Sequence, residues 1–316
     1  MLDIIVTHYR EPWRIVRPFF DMLACQRGVS FDDFKVILVH DGTDCFDRKR
    51  TDDYPYRIDQ YAIPHGGVSR ARNYGLDMAD GEWVEFCDCD DCYTHIYALR
   101  MVLEHTKRDV DYMWTPFFAE YDAENLTVKT EDKENIIFVH GKYFRRKFLL
   151  ENRLRFPEDI HYSEDSAFCA IVNETARPGR RGKIKTEFPV YAWTFRKDSV
   201  SADPKNRAKN LTGFIDRNEY VVEEFKRRGI SYVPMVGRMF ADAYWAFHRK
   251  MKFPEQEKRF AKLSAKNRKY LGMNNQEDMV KIMLSARKAF NPDDIDNTET
   301  FEEWIDRIDA MAQEER

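Results

Sequence analysis

The strongest constraint on this chain is an alternation near its start, in which short apolar runs rich in β-branched residues give way to segments with helical periodicity. Leu2 to Thr7 (LDIIVT) reads as a buried strand. From Glu11 the period changes. Ile15, Phe19 and Leu23 share one helical face, Val16 and Phe20 lie beside them, and Pro12 sits where a first helical turn tolerates proline. Lys35 to Val39 (KVILV) returns to strand and ends at the turn signal Asp41-Gly42. Strand, helix and strand at this spacing make a βαβ unit, and such units build parallel sheets.

The rhythm repeats. Tyr61 to Pro64 reads as a short strand, and Gly66-Gly67 opens a helix with Val68, Ala71, Gly75 and Met78 on one face and Gly81 as its C-terminal cap. Trp83 to Cys87 (WVEFC) is a strong strand running directly into Asp88-Cys89-Asp90-Asp91. A helix around Tyr97–His105, a strand around Tyr112–Pro116 and a polar loop or hairpin over 121–136 follow. Helices over Phe144–Asn152 and Ser163–Asn173 and a strand over Glu187–Phe195 complete this region. After Asp203-Pro204 the strand signal fades, and Leu211–Arg228, Met235–Lys250 and much of 255–288 have helical periodicity. The expected fold is α/β over residues 1–204, a Rossmann-like, mixed but mostly parallel sheet flanked by helices, with a helical C-terminal region over 205–316.

Hydrophobic residues at 43% and charged residues at 34% allow a real core. No apolar run approaches the ~20 residues of a membrane span. The start lacks the ordered segments of a signal peptide, and six unevenly spread cysteines do not resemble a disulfide framework, so a cytoplasmic setting is expected. The net charge of -4 is segregated. Residues 1–204 carry 29 Lys+Arg against 36 Asp+Glu, residues 205–288 carry 20 against 9, and residues 289–316 carry 2 against 10. The basic segment is expected to hold an anionic acceptor or approach an anionic membrane surface, with Tyr244, Trp245 and Phe247 as an aromatic face. The plainer reading is solvated helix faces partly neutralised by the acidic tail. A mildly acidic chain without a reading motif is not expected to bind nucleic acid.

Asp88, Asp90 and Asp91 stand at the C-terminal end of a buried strand, the edge where open α/β sheets bind ligands. Hard oxygen donors suit Mg²⁺ or Mn²⁺, which bind through one or two carboxylates plus substrate phosphates. Taken alone, the cluster is equally an acidic turn facing solvent. Zinc at Cys87, Cys89 and Cys92 is disfavoured because the spacing is not a paired C-x-x-C set. In His65–Asn73 (HGGVSRARN), the glycines and a helix N-terminus favour phosphate, and Arg70 and Arg72 add donors; the arginines are otherwise a solvated face. Asp41 either accepts from a base or ribose or closes a turn. Glu164-Asp165 either offers a general base or complements the helix dipole.

The order of these motifs resembles the family 2 glycosyltransferases, inverting enzymes with the glycosyltransferase A fold. The resemblance runs through IIVTHYRE, VILVHDGTD, GGVSRARNYGLDMADGEWVEFCDCDD, SEDSAF and VYAWTFRKDSVS, covering residues 2–203. It implies transfer of a sugar from a nucleoside-diphosphate sugar, UDP-sugar by family expectation, to a hydroxyl of a glycan or other acceptor, anionic or lipid-linked acceptors included, in glycan or cell-surface polysaccharide synthesis. Carried over by position, Asp41 contacts the base, Thr7 and Tyr9 line the nucleotide pocket, and Arg72 contacts the nucleotide. Asp88 serves the ribose or metal side, Asp90 is the principal Mn²⁺ or Mg²⁺ ligand with Asp91 supporting it, Asp165 is the catalytic base, and Arg196 contacts the diphosphate. His40 stands where the family often has another aspartate, and His8 and Arg10 replace the usual neighbours of Tyr9. The rival classes are a nucleotidyltransferase, which has no need of an acidic motif fixed after the aspartate cluster, and a non-catalytic nucleotide-sugar-binding protein of the same fold.

Overall fold

The computed structural model describes residues 1–122, 127–131, 137–176, 178–186, 188–194, 207–250, 252–288, 295–296 and 299–314. The chain divides into two compact units, Met1–Asp203 and Pro204–Arg316.

In the first unit the elements run β1 (Leu2–His8), α1 (Trp13–Ala24), β2 (Phe34–Asp41), β3 (Arg57–Ile63), α2 (Val68–Met78), β4 (Trp83–Asp88), β5 (Cys92–Tyr93), α3 (Ala98–Leu103) and β6 (Tyr112–Trp114). They continue with β7 (Phe117–Asp122), β8 (Thr127–Glu131), β9 (Lys142–Arg145), α4 (Arg146–Glu151), α5 (Glu164–Thr175), β10 (Arg181–Lys183) and β11 (Tyr191–Thr194). A seven-stranded sheet has the order β10-β6-β9-β4-β1-β2-β3. The β1–β4 strands are parallel to their neighbours among themselves, while β9 is antiparallel to both β4 and β6. A smaller sheet has the order β5-β11-β7-β8.

The strand order reverses between β1 and β4, so the switch point of the sheet lies at their C-terminal ends. There the register sets Thr7 beside Asp88, and His8 beside His40 of β2. Every residue of β1 and β2 is buried, as a strand covered on both faces requires.

The α/β architecture expected from the alternation is realised, with local differences. Phe144, expected in a helix, is the third residue of β9, and the helix begins only at Arg146. Pairing between β4 and β6 buries Tyr143 and Phe144 from both sides, and that tertiary demand overrides the local helical pattern. The β10 strand was not foreseen. Gly81 is not a cap: α2 ends with Ala79 in an extended conformation. Gly81 instead lies against Asp3, donating its N–H to Asp3 Oδ2 at 2.7 Å, and a Cβ there would meet Asp3 Oδ1 at 2.8 Å. The strand expected over Glu187–Phe195 is Tyr191–Thr194; Glu187 and Phe195 lie outside the described residues.

The second unit contains α6 (Arg207–Arg228), α7 (Val233–Phe247), α8 (Pro254–Leu271), α9 (Gln276–Arg287) and α10 (Phe301–Glu314). The acidic tail is more than a charge run: α10 buries Trp304, Ile305, Ile308 and Ala312 on one face. A capping box starts it: Glu303 accepts from Thr300 N–H at 2.7 Å, and Thr300 Oγ1 accepts from Glu303 N–H at 3.2 Å. Of the aromatic face expected at Tyr244, Trp245 and Phe247, only Trp245 is partly exposed. Tyr244 and Phe247 are buried, because they pack towards Trp304 and Phe260. Many basic residues of 205–288 are paired within the unit. Arg227 and Arg228 meet Glu224, Lys266 meets Glu219, and Arg268 meets Asp309 of the tail. No helix among the described residues is long and apolar enough to cross a membrane.

The seating of α2 on the sheet is testable at Gly75, where an added methyl would collide with Cγ2 of the buried Ile5 in β1. Alanine ordinarily stabilises a helix interior by about 1 kcal/mol relative to glycine. Here Gly75→Ala is expected to lower stability in urea denaturation by about 1–3 kcal/mol, the cost of overpacking. A stabilised variant would contradict the contact.

Candidate active site at the strand ends

The site is assembled around one guanidinium. Arg72 lies in the second turn of α2 and is only 3% exposed. Its Nη2 donates to Asp88 Oδ1 at the end of β4, and its Nη1 donates to Glu164 Oε1 at the start of α5, both at 2.9 Å. Its guanidinium carbon lies 5.1 Å from the centre of the Phe156 ring. Thr7 Oγ1 donates to the same Asp88 oxygen at 3.3 Å. Burial works against both charges. Arg72 foremost, with the Thr7 hydroxyl, nevertheless holds the Asp88 pKa below its ordinary value. Both terminal nitrogens of Arg72 thus serve protein carboxylates, and the guanidinium bridges the end of β4 to the start of α5.

The start of α2 is set by Asp41. Its carboxylate accepts from Gly66 N–H at 2.7 Å, Gly67 N–H at 2.9 Å and His65 Nδ1 at 2.8 Å. The two glycine amides, expected to face phosphate, are therefore spent on Asp41. Gly67 has φ 90°, a conformation side chains rarely adopt, which is why glycine stands there. Arg70 remains exposed. Tyr9 stacks on His65 with ring centres 4.6 Å apart, and both rings are partly open to solvent. Below them His8 Nδ1 and His40 Nδ1 are 2.9 Å apart, His8 Nε2 reaches the Glu11 carbonyl, and His40 Nε2 reaches Gln60 Oε1. Burial, then His8, lowers the His40 pKa to about 4. The histidine standing where the family often has an aspartate is consequently held by protein partners.

The chain leaving β4 turns back at once, with Asp91 N–H donating to the Asp88 carbonyl at 3.2 Å. That turn brings residues 88 and 91 side by side. Ligand atoms of Asp88, Asp91 and His140 lie within 4.8 Å of one another. Asp90, expected as the principal metal ligand, is outside this group, and the group contains no cysteine. Asp91 is 2% exposed; it accepts from Tyr191 OH at 2.6 Å and Thr194 N–H at 2.9 Å. Burial, then Asp88 and Asp90, pushes its pKa well up. His140 is buried neutral, its pKa lowered to about 4 by burial first. Its Nδ1 has no hydrogen-bond partner among the described residues, the nearest Asp91 oxygen being 3.7 Å away. Two carboxylates and an unpartnered imidazole nitrogen form a donor set that fits a divalent cation. Neither His140 nor Tyr191 was foreseen: both reach the turn through non-local pairing, β9 beside β4 and β11 beside β5, which no periodicity reveals.

At the start of α5, Ser163 adopts a left-handed conformation with φ 64°, costly for a residue other than glycine. It presents Glu164 and Asp165 in the first turn. Glu164 is committed to Arg72, whereas Asp165 is partly buried and bonded to its neighbour's Ser166 N–H at 2.7 Å. Burial first, then Glu164, raises the Asp165 pKa to about 7, against the opposing pull of Arg72. Arg196 lies outside the described residues.

A family model described as glycosyl transferase family 2 matches residues 3–172. The chain is 29% identical over 192 residues to EpsJ of Bacillus subtilis (strain 168), described as an uncharacterized glycosyltransferase. That match covers 53% of this chain and 54% of the relative, so the chain spans about half of that protein's length. Among solved structures, S. aureus TarS 1-349 in complex with UDP has a TM-score of 0.60 at 15% identity, covering 100% of this chain and 91% of that one. The mannosyltransferase PcManGT from Pyrobaculum calidifontis, in complex with GDP-Man and Mn²⁺, has a TM-score of 0.50 at 16% identity, covering 98% of this chain and 84% of that one. At such identities the likeness is one of fold.

Arg72→Met would leave the half-buried Asp88 and Glu164 without their shared, buried cation. The expected loss of stability is about 3–5 kcal/mol, the scale for breaking a buried ion pair from one side. Chemical denaturation followed by tryptophan fluorescence measures it, and a loss below about 1 kcal/mol would contradict a bridging role.

Proposed function

Because the chain belongs to glycosyl transferase family 2, we propose that its first unit moves a sugar from a nucleoside-diphosphate sugar, UDP-sugar in the first place, to an acceptor hydroxyl with inversion at the anomeric carbon. The observation that carries this reading is Asp165. It is a carboxylate with its pKa raised to about 7, next to Glu164 and within the field of Arg72 and Asp88 at the sheet's switch point. A general base works best with a pKa near the operating pH.

In this account the stacked Tyr9 and His65 offer the base a flat surface beside Asp41, and Thr7 and Asp88 meet the ribose side. Arg196 and the exposed Arg70 serve the diphosphate. Asp88 and Asp91, with Asp90 alongside, would hold Mn²⁺ or Mg²⁺. A bound divalent ion supplies charge neutralisation for the departing diphosphate. Arg72 keeps Asp88 ionised and Glu164 fixed, so the charge pattern around Asp165 is set before substrate arrives. Asp165 takes the proton of the acceptor hydroxyl, whose oxygen attacks the anomeric carbon opposite the leaving diphosphate. The C–O bond to the acceptor forms as the bond to the diphosphate breaks. A single base suffices, unlike the carboxylate pair of a retaining glycosidase. UDP in the TarS complex supports the choice of nucleotide, and Mn²⁺ in the mannosyltransferase complex supports dependence on a divalent metal. The acceptor is a glycan or another hydroxyl compound. The internal pairing of Arg227, Arg228 and Arg268 lends no support to an anionic or membrane-bound acceptor held by those side chains.

Asp165→Asn is expected to bind the donor as the parent does while losing at least ~100-fold in transfer rate, the scale of a general base. In the parent, kcat/KM should rise with pH through about 7, since only the ionised carboxylate accepts a proton. That acidic limb should vanish in the variant. Near-full transfer by Asp165→Asn would move the base elsewhere.

A further inference from the structure

His140 ends a stretch that the chain pins tightly. Thr115 N–H donates to the Gly141 carbonyl at 2.8 Å, and Gly141 has φ 63° with Thr115 so close that a Cβ would meet its Oγ1 at 2.9 Å. The imidazole lies nearly parallel to Tyr191, 5.5 Å between centres and 18° between planes, and nearly parallel to Phe138 at 6.1 Å and 24°. Phe117 packs at 5.7 Å. The ring therefore has little freedom to turn. It is 8% exposed, and its Nδ1 faces the turn that carries Asp88 and Asp91 without a hydrogen bond among the described residues. Buried nitrogen atoms without a partner are rare in folded proteins and call for an explanation. Packing alone does not supply one, because a stacked ring whose only task was to fill space could be phenylalanine.

We infer that Nδ1 of His140 binds the divalent cation directly, together with carboxylate oxygens of Asp88 and Asp91, and that this nitrogen makes the site prefer Mn²⁺ to Mg²⁺. The inference rests on the metal-dependent reading of the site and specifies which of its residues choose the ion. Mg²⁺ is a hard ion that favours oxygen ligands and near-ideal octahedral geometry, whereas imidazole suits transition-metal ions. The bonds from Tyr191 OH and Thr194 N–H orient the Asp91 carboxylate, as partners of ligating carboxylates commonly do. The three donors come from separate parts of the chain, the end of β4, the turn after it and the approach to β9, so the ion would join strands that pair only after folding.

The test is electron paramagnetic resonance of Mn²⁺ added to the full chain, alone and with UDP, with nitrogen coupling read by electron spin echo modulation. The parent should bind Mn²⁺ and show ¹⁴N coupling from a directly bound imidazole. His140→Gln should lose that coupling and bind Mn²⁺ about 10–100-fold more weakly, with a smaller loss for Mg²⁺ measured by competition. Bound Mn²⁺ with no nitrogen coupling in the parent would overturn the inference and leave the metal-dependent reading intact. Coupling that persisted in a folded His140→Gln would assign the nitrogen elsewhere and also overturn it. Absence of any bound Mn²⁺, with or without UDP, would overturn both. A parent spectrum without nitrogen coupling overturns the inference by itself, and where His140→Gln does not fold, His140→Phe keeps the ring stacked on Tyr191 and Phe138 and should lose the coupling in the same way.

Discussion

Arg72 is a buried cation shared by two carboxylates that the sequence holds far apart, and the site is built outward from it. Asp88 arrives at the end of β4 and Glu164 at the start of α5. Neither could be sheltered from water as a charge without a partner, and one planar guanidinium satisfies both because its nitrogens point in fixed, divergent directions. Its position depends in turn on α2, which starts where Asp41 gathers the amides of Gly66 and Gly67 and lies against β1 through Gly75. A displacement of that helix would move Arg72, and with it the charge balance on which the Asp165 pKa depends.

Much of this was legible in the sequence. The runs at Leu2–Thr7, Lys35–Val39 and Trp83–Cys87 became parallel neighbours, because continuous β-branched stretches are what a sheet covered on both faces needs. The aspartate cluster at the end of the third run lies at the switch point of the sheet, as its place after a buried strand implied. What escaped the sequence was non-local. The β9 strand exists because β4 and β6 each lack a partner on that side, a demand invisible in KYFR itself. His140 and Tyr191 reach the aspartate turn by the same kind of long-range pairing. For α10 the signal is local and present in the sequence: Thr300 and Glu303 have capping-box spacing, and Trp304 and Ile308 stand one turn apart beneath the acidic face.

The charge segregation that looked functional in the sequence is in good part structural. Arg268 meets Asp309, and Arg307 joins Glu257 to Glu299, so the acidic tail and the basic segment complement each other inside the second unit. Net charge counted along a chain says nothing of which side chains are already paired, and exposed pairs of this kind contribute little to stability. The buried, mutually interacting charges lie instead at the strand ends of the first unit, around Arg72, Asp88 and Asp91.

The central claim is that these strand ends cleave a nucleoside-diphosphate sugar at its sugar–phosphate bond. Incubation of the protein with a panel of nucleotide sugars and Mn²⁺, with the released species identified by mass spectrometry, tests it most directly. The account predicts an intact nucleoside diphosphate together with transferred or free sugar. Release of nucleoside monophosphate or pyrophosphate, with the bond to the sugar untouched, would contradict it.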